Sequence, residues 1–261
     1  MPSSQPSKQL RDQQFAELQH QIVLLQQAMG RQQRAAIIVL EGPDAAGKGG
    51  VIRRLGWCLD PRWLHVWPTN APSEQERQQH WLQRFWQRMP QYGHWAVFDR
   101  SWYGRVLVER VERLIDEPVW QRAYAQINAF EHSLQQEGVV LVKIWLDINA
   151  DTQLRRFEER YRNPAKQWKL TAEDIRNRAR WDDYEQARDD MFTRTSNAGA
   201  PWHLIDANDK DQARLAVFQL LQREFSKDLT VSPPAPPQAV VDFFAATIKQ
   251  STECPDDPAS V

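Results

Sequence analysis

The chain has 261 residues, of which 41% are hydrophobic and 26% charged, and its formal net charge at pH 7 is −1. This length is typical of one larger-than-average domain with appendages, and the near-neutral charge argues against a general nucleic-acid-binding surface. No apolar run reaches the roughly 18–20 residues of a membrane span, and residues 1–8 lack an apolar signal region. The two cysteines form no disulfide framework. We therefore expect a soluble protein of a reducing compartment that binds neither nucleic acid nor a membrane.

The N-terminal stretch, residues 8–34, is polar and rich in glutamine, and its apolar side chains are spaced as on one face of a helix. These apolar positions include Phe15, Leu18, Ile22, Val23, Leu25 and Ala28. We therefore predict an amphipathic helix within residues 1–34, packed either on the core or on another subunit.

A short apolar run from Ile37 to Leu40 predicts a buried strand, which leads into a glycine-bracketed loop with the sequence GPDAAGKGG. A helical pattern follows from Val51 to Trp57. Strand, Gly-x-x-x-x-Gly-Lys and helix form the context of a phosphate-binding loop, where backbone N–H groups, the helix N-terminus and the lysine face the anion. An ordinary strand–turn–helix is the alternative. The residues predicted to bind phosphate are Gly42, Ala45, Ala46, Gly47, Lys48, Gly49 and Gly50.

This loop lacks the Ser or Thr that usually follows the lysine and holds Mg²⁺, because Gly49 stands at that position. Asp44, inside the loop, is the nearest candidate for this role, since a carboxylate among phosphate-binding amides is unfavourable unless a cation lies between them. The alternative is that Asp44 only hydrogen-bonds the loop backbone, as Asp often does in turns.

A third apolar strand, residues 95–98, ends at Asp99 and is followed by Arg100. In phosphate-loop proteins an acid at the end of a neighbouring strand helps to hold Mg²⁺, and an adjacent arginine suits a phosphoryl group. Asp99 could instead cap the next helix. We predict that Asp44 and Asp99 jointly hold Mg²⁺ beside Lys48 and Arg100.

Strands and helices alternate along the rest of the chain. Further strands are predicted at 65–67, 139–147 and 202–206, and helices at 74–88, 102–115, 118–136, 151–161, 171–195 and 209–226. Five strands alternating with helices predict an α/β fold with a three-layer parallel sheet covered on both faces. Ligands of such sheets bind at the carboxyl ends of the strands, where the loop and Asp99 both lie.

A basic block lies between the fourth and fifth strands. Residues 155–180 contain nine Lys or Arg and four Asp or Glu, a local balance of +5, which indicates a polyanion site. We predict a helical lid at about residues 150–196 that folds over the phosphates. The alternative is a solvated helix face with i,i+4 ion pairs. Residues 230–261, proline-rich and then polar, predict a disordered tail apart from a segment near 240–248, which leaves a phosphate-loop domain at 35–229.

Four motifs resemble, in order, the type 2 polyphosphate kinase family: GPDAAGKGG at 42–50, DRSWYGR at 99–105, KQWKL at 166–170 and RWDDY at 180–184. The resemblance covers about residues 35–229. It implies a thymidylate-kinase-like phosphate-loop fold with a lid, Mg²⁺-dependent phosphoryl transfer between inorganic polyphosphate and a nucleotide, and a homodimer or homotetramer. The family's catalytic roles fall on Asp44, Lys48, Asp99, Arg100, Arg156 and Arg160.

Two further groups of residues are interpreted through this resemblance. Lys166 and Lys169 on the lid are expected to contact the polyphosphate chain. Trp102, Tyr103 and Arg105 are expected to border the acceptor pocket. Family members that prefer ADP more often carry Asn at the position of Gly104, so we predict AMP as the favoured acceptor.

Three alternatives remain open at this point. The first is a polyphosphate kinase that phosphorylates ADP or GDP. The second is an ATP-dependent nucleoside monophosphate kinase, although its loop normally keeps the Ser or Thr that is absent here. The third is a non-enzymatic phosphate-loop protein that binds nucleotide as a switch.

Overall fold

The computed structural model describes residues 8–232 and 235–252. In this part of the chain, five strands form a sheet in the order β2-β3-β1-β4-β5, and all neighbouring strands are parallel. The strands are β1 Ala36–Glu41, β2 Leu64–Pro68, β3 Trp95–Asp99, β4 Val140–Asp147 and β5 Trp202–Asp206. The predicted five-stranded parallel α/β sheet is confirmed, and β1 with its loop lies at its centre.

Helices before residue 231 connect the strands or cover the sheet. They are α1 Lys8–Arg31, α2 Lys48–Cys58, α3 Glu74–Arg77, α4 Gln83–Trp86, α5 Val108–Val111, α6 Glu117–Gln136, α7 Ala150–Arg162, α8 Ala172–Arg178, α9 Trp181–Thr195 and α10 Lys210–Phe225, with short 3₁₀ turns at Trp102–Arg105 and Gln167–Lys169. A further helix, α11 Gln238–Thr252, lies in the C-terminal part of the chain. None of the described helices combines the length and the hydropathy that a membrane span requires.

The core consists of two hydrophobic layers, one on each face of the sheet. Successive side chains of a strand point to opposite faces, so Ile38 and Leu40 of β1 pack under α1, α2 and α10. Ile37 and Val39 face the other layer, which is built from α6, α9 and the 3₁₀ turn after β3. Since β1 is buried on both faces, its uninterrupted apolar sequence is what a central parallel strand requires.

The predicted N-terminal helix forms and packs on the core of its own chain. The ring of Phe15 in α1 lies 4.8 Å from that of Phe218 in α10, and Ile22 and Met29 are fully buried. Of the two packing partners that the sequence left open, the structure shows the core of the same chain.

The helix predicted over residues 74–88 is two short helices in the structure. Ser73 begins α3 with a capping box, in which its hydroxyl accepts from the Glu76 N–H at 3.2 Å and its own N–H donates to the Glu76 carboxylate at 2.9 Å. Between α3 and α4, the Trp81 indole donates to Gln126 Oε1 at 3.0 Å. This tertiary contact lies where the sequence periodicity predicted a continuous helix.

The long helix predicted over residues 171–195 is likewise interrupted, between α8 and α9. Arg180 lies at the break, where its guanidinium donates to the carbonyl oxygen of Val111 and lies 3.9 Å from the Glu112 carboxylate. The helix predicted over residues 102–115 is replaced by a 3₁₀ turn followed by α5. In both segments the continuous helix predicted from the sequence is divided into shorter pieces.

The C-terminal residues from 231 form a separate unit. Helix α11 covers the expected segment near residues 240–248 and extends beyond it in both directions. Phe243 and Phe244 in this helix are exposed. The rest of the predicted disordered tail falls partly on residues 233–234 and 253–261, which lie outside the described residues.

Candidate active site

The loop between β1 and α2 turns sharply at residues with left-handed backbone conformations. Gly42 has φ 139°, and a Cβ at this position would lie 2.4 Å from the carbonyl oxygen of Leu146. Gly47, at the N-cap of α2, has φ 119°, and Ala45 has φ 64°. Because glycine adopts such conformations without steric cost, the sequence allows the loop to wrap around the N-terminus of α2, where anions bind.

Lys48 lies at this N-terminus and is directed back over the loop. Its ammonium donates to the carbonyl oxygens of Gly42 at 2.6 Å and Pro43 at 3.2 Å. Burial and the neighbouring Arg100 lower the pKa of Lys48, while nearby carboxylates oppose this shift. The sequence-predicted lysine is therefore positioned at the mouth of the loop.

Asp44 is bound on both of its carboxylate oxygens. Arg100 Nη2 lies 2.5 Å from Oδ1, and Asn177 Nδ2 of α8 donates to Oδ2 at 2.8 Å. Burial acts to raise the pKa of Asp44, but the charges of Lys48 and Arg100 and these hydrogen bonds outweigh it, so the pKa lies below its usual value. Asp44 is thus a charged carboxylate, and each of its oxygens keeps a further lone pair with which it could bind a metal.

Asp99 ends β3, and its Cα is paired with that of Leu40 in β1. Among the described residues, none forms a hydrogen bond or ion pair with the Asp99 carboxylate, so it is available as an oxygen ligand. Within the same residues there is no group of three or more His, Cys, Asp or Glu that could enclose a metal. Asp44 and Asp99 therefore suit Mg²⁺, which is usually held by one or two carboxylates together with substrate phosphates.

Arg100 has a strained backbone that its neighbours hold in place. Its φ is 59°, a conformation that costs a non-glycine residue about 1–3 kcal/mol and is found at functional sites. The Arg100 N–H donates to the carbonyl oxygen of Leu40 at 3.1 Å, and its own carbonyl oxygen accepts from the Thr69 hydroxyl at 2.7 Å. Contacts from β1 and from the chain after β2 thus direct the guanidinium towards the loop.

Glu41, the last residue of β1, is a site residue that the sequence analysis missed. It is only 4% exposed and accepts from the Ser101 hydroxyl at 2.8 Å. Burial raises its pKa. The available signal was its position directly before the first loop glycine, since, like Asp99, it is an acid at the carboxyl end of an apolar strand.

Two cavities border these residues. The smaller, of about 100 Å³, lies beside the loop. The larger, of about 760 Å³, is within the usual size of a small-molecule site. Both cavities are lined by Arg100, Gly104, Val108 and Asn177. Arg100, which bonds Asp44 of the loop, is therefore also part of the wall of the larger cavity.

Trp102 and Tyr103, both expected to border the acceptor pocket, differ in the structure. Trp102 is buried but contributes to the lining of the larger cavity, whereas Tyr103 is 0% exposed and lines neither cavity. Trp102 Nε1 and the Tyr103 hydroxyl both donate to Glu131 Oε1, at 3.0 and 2.7 Å. Both residues thus anchor the segment after β3, and Trp102 stays a candidate for the acceptor pocket.

Glu131 is paired with Lys143 in a fully buried network. Lys143 Nζ lies 2.8 Å from Glu131 Oε2, 2.8 Å from the carbonyl oxygen of Thr195 and 3.1 Å from the Tyr103 hydroxyl. These residues belong to α6, β4, the end of α9 and the 3₁₀ turn. The network therefore connects the segment after β3 with the C-terminal end of the predicted lid.

Arg105 remains a candidate for the acceptor pocket, because it lines the larger cavity. Its guanidinium is held by the Glu109 carboxylate at 2.5 Å and lies 5.1 Å from the centroid of the Trp81 ring. Movement of Arg105 towards a ligand must therefore break or share the Glu109 ion pair.

Arg156 does not lie where a contact with a phosphate chain was expected. It is 3% exposed, and its guanidinium donates to the carbonyl oxygens of Ala45 at 2.9 Å and Ala46 at 3.0 Å. It also donates to the carbonyl oxygens of Ala207 at 2.6 Å and Asn208 at 3.2 Å. The expected direct role is corrected, because Arg156 binds the outer side of the loop.

The other predicted lid cations lie on the surface. Arg160 donates to the Lys169 carbonyl oxygen at 3.0 Å and lies 4.0 Å from the Asp174 carboxylate. Lys166 and Lys169 are exposed, and Lys169 Nζ lies 5.0 Å from the centroid of the Trp168 ring. The structure thus leaves both lysines accessible to an anion.

Helix α8, in the segment predicted to form a lid, is bonded to both sides of the site. Arg176 forms an ion pair with Glu112 at 2.7 Å, next to α5, and Arg178 donates to the Ala150 carbonyl oxygen at 2.7 Å. Together with the bond from Asn177 to Asp44, these contacts place α8 against the loop. Asn177 was also missed by the sequence analysis, since no local pattern distinguishes it within the basic block.

The chain matches known proteins over most of its length. The sequence model of the family described as Polyphosphate kinase 2 matches residues 5–231. A "Polyphosphate:AMP phosphotransferase" from Pseudomonas syringae pv. tomato is 52% identical over 198 residues, which cover 74% of this chain and 40% of the relative. The chain spans less than half the length of three relatives with this name.

Two further relatives are matched over more of their own length. An "ADP-polyphosphate phosphotransferase 2" from Rhizobium meliloti is 40% identical over 207 residues, which cover 79% of this chain and 68% of the relative. The crystal structure of Polyphosphate Kinase 2 from Arthrobacter aurescens TC1 superimposes with a TM-score of 0.86 at 32% identity, covering 94% of this chain and 89% of that one.

Proposed function

The chain belongs to the Polyphosphate kinase 2 family, and on this basis we propose that it transfers a phosphoryl group from inorganic polyphosphate to a nucleotide, with AMP favoured over ADP. The observation that carries this proposal concerns Arg100, which bonds Asp44 of the phosphate-binding loop and also lines the larger cavity. Lys48 and Asp99 interact electrostatically with the same guanidinium. By resemblance to the family, we also propose Mg²⁺ as cofactor, a homodimer or homotetramer and a cytoplasmic location.

The chemistry requires positioning and charge neutralisation more than proton transfer. Both substrates are polyanions, and the attacking phosphate oxygen is already deprotonated, so no general base is needed. Lys48 and the N–H groups of the loop bind the terminal phosphates of the donor, while Arg100 spans the loop and the acceptor cavity. Asp44 and Asp99 would hold Mg²⁺, which neutralises charge on the transferred group. Holding the two substrates in line then supplies much of the catalysis.

The choice of AMP is supported by two observations. Relatives named polyphosphate:AMP phosphotransferase are 52% and 50% identical to this chain, while those named for ADP are 40% and 39% identical. Gly104 lines both cavities, so the absence of its side chain leaves room for a short acceptor next to Arg100.

We expect AMP to have a higher kcat/KM than ADP at saturating polyphosphate, and Gly104→Asn to lower the AMP:ADP ratio. A Cβ at Gly104 would meet Val108 Cγ1 at an ordinary 3.6 Å, so the variant should fold. The measurement is a panel of AMP, ADP, GMP and GDP. A wild-type preference for ADP of tenfold or more, about 1.4 kcal/mol, would refute AMP as the favoured acceptor but leave the reaction class intact.

The donor is tested separately, with polyphosphate or ATP as the sole phosphoryl donor to AMP. Turnover with polyphosphate and Mg²⁺ supports the proposal. Turnover with ATP alone would establish the ATP-dependent nucleoside monophosphate kinase instead. Binding without turnover of either donor would leave the non-enzymatic alternative.

The exposed lysines of the lid are expected to contact the polyphosphate chain. The double variant Lys166→Gln/Lys169→Gln should raise the KM for polyphosphate, more for long chains than for short ones, and the difference should shrink as salt screens the charges. Lys227→Gln, an exposed lysine paired with Glu224, serves as a matched control. Equal KM changes at every chain length would contradict a contact with the chain.

A further inference from the structure

The first half of α7 binds three successive carbonyl groups on the outer side of the phosphate-binding loop. Gln153 Nε2 donates to the carbonyl oxygen of Asp44 at 3.1 Å. Arg156 Nη1 donates to those of Ala45 at 2.9 Å and Ala46 at 3.0 Å. The carbonyl groups of three consecutive loop residues therefore point towards α7.

Both α7 side chains are themselves fixed. Gln153 is 2% exposed, and its Oε1 accepts from Arg178 Nη1 at 3.2 Å. Arg156 Nη2 binds the carbonyl oxygens of Ala207 and Asn208, directly after β5. Arg156 is therefore bonded both to the chain after β5 and to the loop, and it holds these two segments in a fixed relation.

We propose that Gln153 and Arg156 are positioning residues that set the geometry of the phosphate-binding loop without touching the donor. In a trans peptide the carbonyl and the following N–H point in opposite directions. Binding the carbonyl oxygens of Asp44 and Ala46 from outside therefore directs the N–H groups of Ala45 and Gly47 towards the anion. The inference rests on the proposed function, because the geometry matters through the phosphates that the loop binds.

The strain at Ala45 explains why the loop needs this support. Its φ of 64° is unfavourable for a residue with a Cβ and persists only when its surroundings enforce it. Arg156 binds the carbonyl of the peptide that follows this strained residue and the carbonyl of the next peptide, while the Ala46 N–H donates to the Pro43 carbonyl oxygen at 3.1 Å. Without the bond to the Ala46 carbonyl oxygen, the next peptide can rotate and withdraw the Gly47 N–H from the anion site.

The same contacts divide the predicted lid. The turns of α7 that carry Gln153 and Arg156 are bonded to the loop. A moving lid therefore begins after them and includes Arg160, Lys166 and Lys169. A positioning role then predicts an effect that is independent of the donor's length, whereas a lid contact predicts a dependence on length.

The test compares Arg156→Gln and Arg156→Lys with Arg155→Gln. Arg155 is the adjacent residue on α7 and forms an exposed pair with Glu159 at 2.8 Å, so its loss removes a charge without touching the loop. For Arg156→Gln we expect kcat to fall by about 100-fold, the loss typical of a misplaced catalytic group, and by the same factor with short and long polyphosphate. Arg156→Lys should lose nearly as much, because one ammonium cannot reproduce a fork that spans several carbonyl oxygens.

A second readout does not depend on activity. Hydrogen exchange of the loop amides, residues 44–49, should be faster in Arg156→Gln than in wild type and unchanged in Arg155→Gln. Gln153→Met, which removes one bond, should show a smaller effect of the same kind and provides the test if Arg156→Gln does not fold.

Three results would overturn the inference. Unchanged loop exchange together with a KM that rises with chain length would assign Arg156 to direct donor contact. Unchanged exchange and kcat in Arg156→Gln and Gln153→Met would remove any role. Wild-type rates in Arg156→Lys would show that only the charge matters. Failure of the proposed function has a different signature, namely a wild-type protein that does not turn over polyphosphate while loop exchange still responds to Arg156→Gln.

Discussion

Replacing Asp99 by asparagine should lower kcat by about 10²–10³-fold, the loss seen when one charge-stabilising group is removed from an active site. The Asp99 carboxylate forms no hydrogen bond or ion pair among the described residues, so the substitution removes the proposed metal ligand and breaks no structural bond. The melting temperature should therefore stay close to that of wild type. The direct measurement is Mn²⁺ binding followed by electron paramagnetic resonance, which should weaken in Asp99→Asn.

Asp206→Asn is the matched control for this variant. Asp206 ends β5 at the same edge of the sheet, but it lines neither cavity and binds the backbone N–H of Asn208 at 2.8 Å, a bond that asparagine can keep. Near-normal Mg²⁺-dependent turnover in Asp99→Asn, or equal losses in the two variants, would rule out Asp99 as the metal ligand.

Gly42→Ala should destabilise the protein and abolish activity. The new Cβ would lie 2.4 Å from the carbonyl oxygen of Leu146, a backbone atom in β4 that cannot move without disturbing the sheet. The left-handed conformation adds about 1–3 kcal/mol of strain. Each kcal/mol corresponds to about 2–4 °C in the melting temperature of a domain of this size, so thermal unfolding gives the measurement.

Gly56→Ala is the opposite case and serves as the control. Gly56 is an exposed residue inside α2, and a Cβ there would meet no atom within 4 Å. Alanine in a helix reduces the freedom of the unfolded chain, so this variant should gain about 0.4–1 kcal/mol. If Gly42→Ala melted at the wild-type temperature, the close approach of the loop to β4 would be wrong.

The sheet and the loop could be predicted because short-range physics determines them. The run from Ile37 to Leu40 is apolar on both faces, as only a central parallel strand can be, and Gly42 and Gly47 stand where the backbone needs left-handed conformations. The carboxyl ends of parallel strands meet at one edge of the sheet, so the sequence alone predicts that Asp99 lies beside the loop.

The direction of individual side chains could not be predicted in the same way. Tyr103 and Arg105 both follow β3, yet Tyr103 points into the core and Arg105 lines the larger cavity. The difference depends on Glu131 and Lys143, which lie far away in the chain. The position of Arg156 could not be predicted for the same reason. A basic block shows that cationic side chains are present, but not which of them bind carbonyl groups of the protein itself.

The buried pair of Glu131 and Lys143 constrains how this chain can diverge. Substituting either residue alone leaves an uncompensated charge in the core, at a cost of about 3–5 kcal/mol, which is a large part of the about 5–15 kcal/mol that holds a typical domain folded. A joint replacement by apolar residues of similar volume can be neutral. A change from the charged pair to an apolar pair therefore passes through a single variant that is strongly destabilised. A protein that makes this change must first gain stability at other positions.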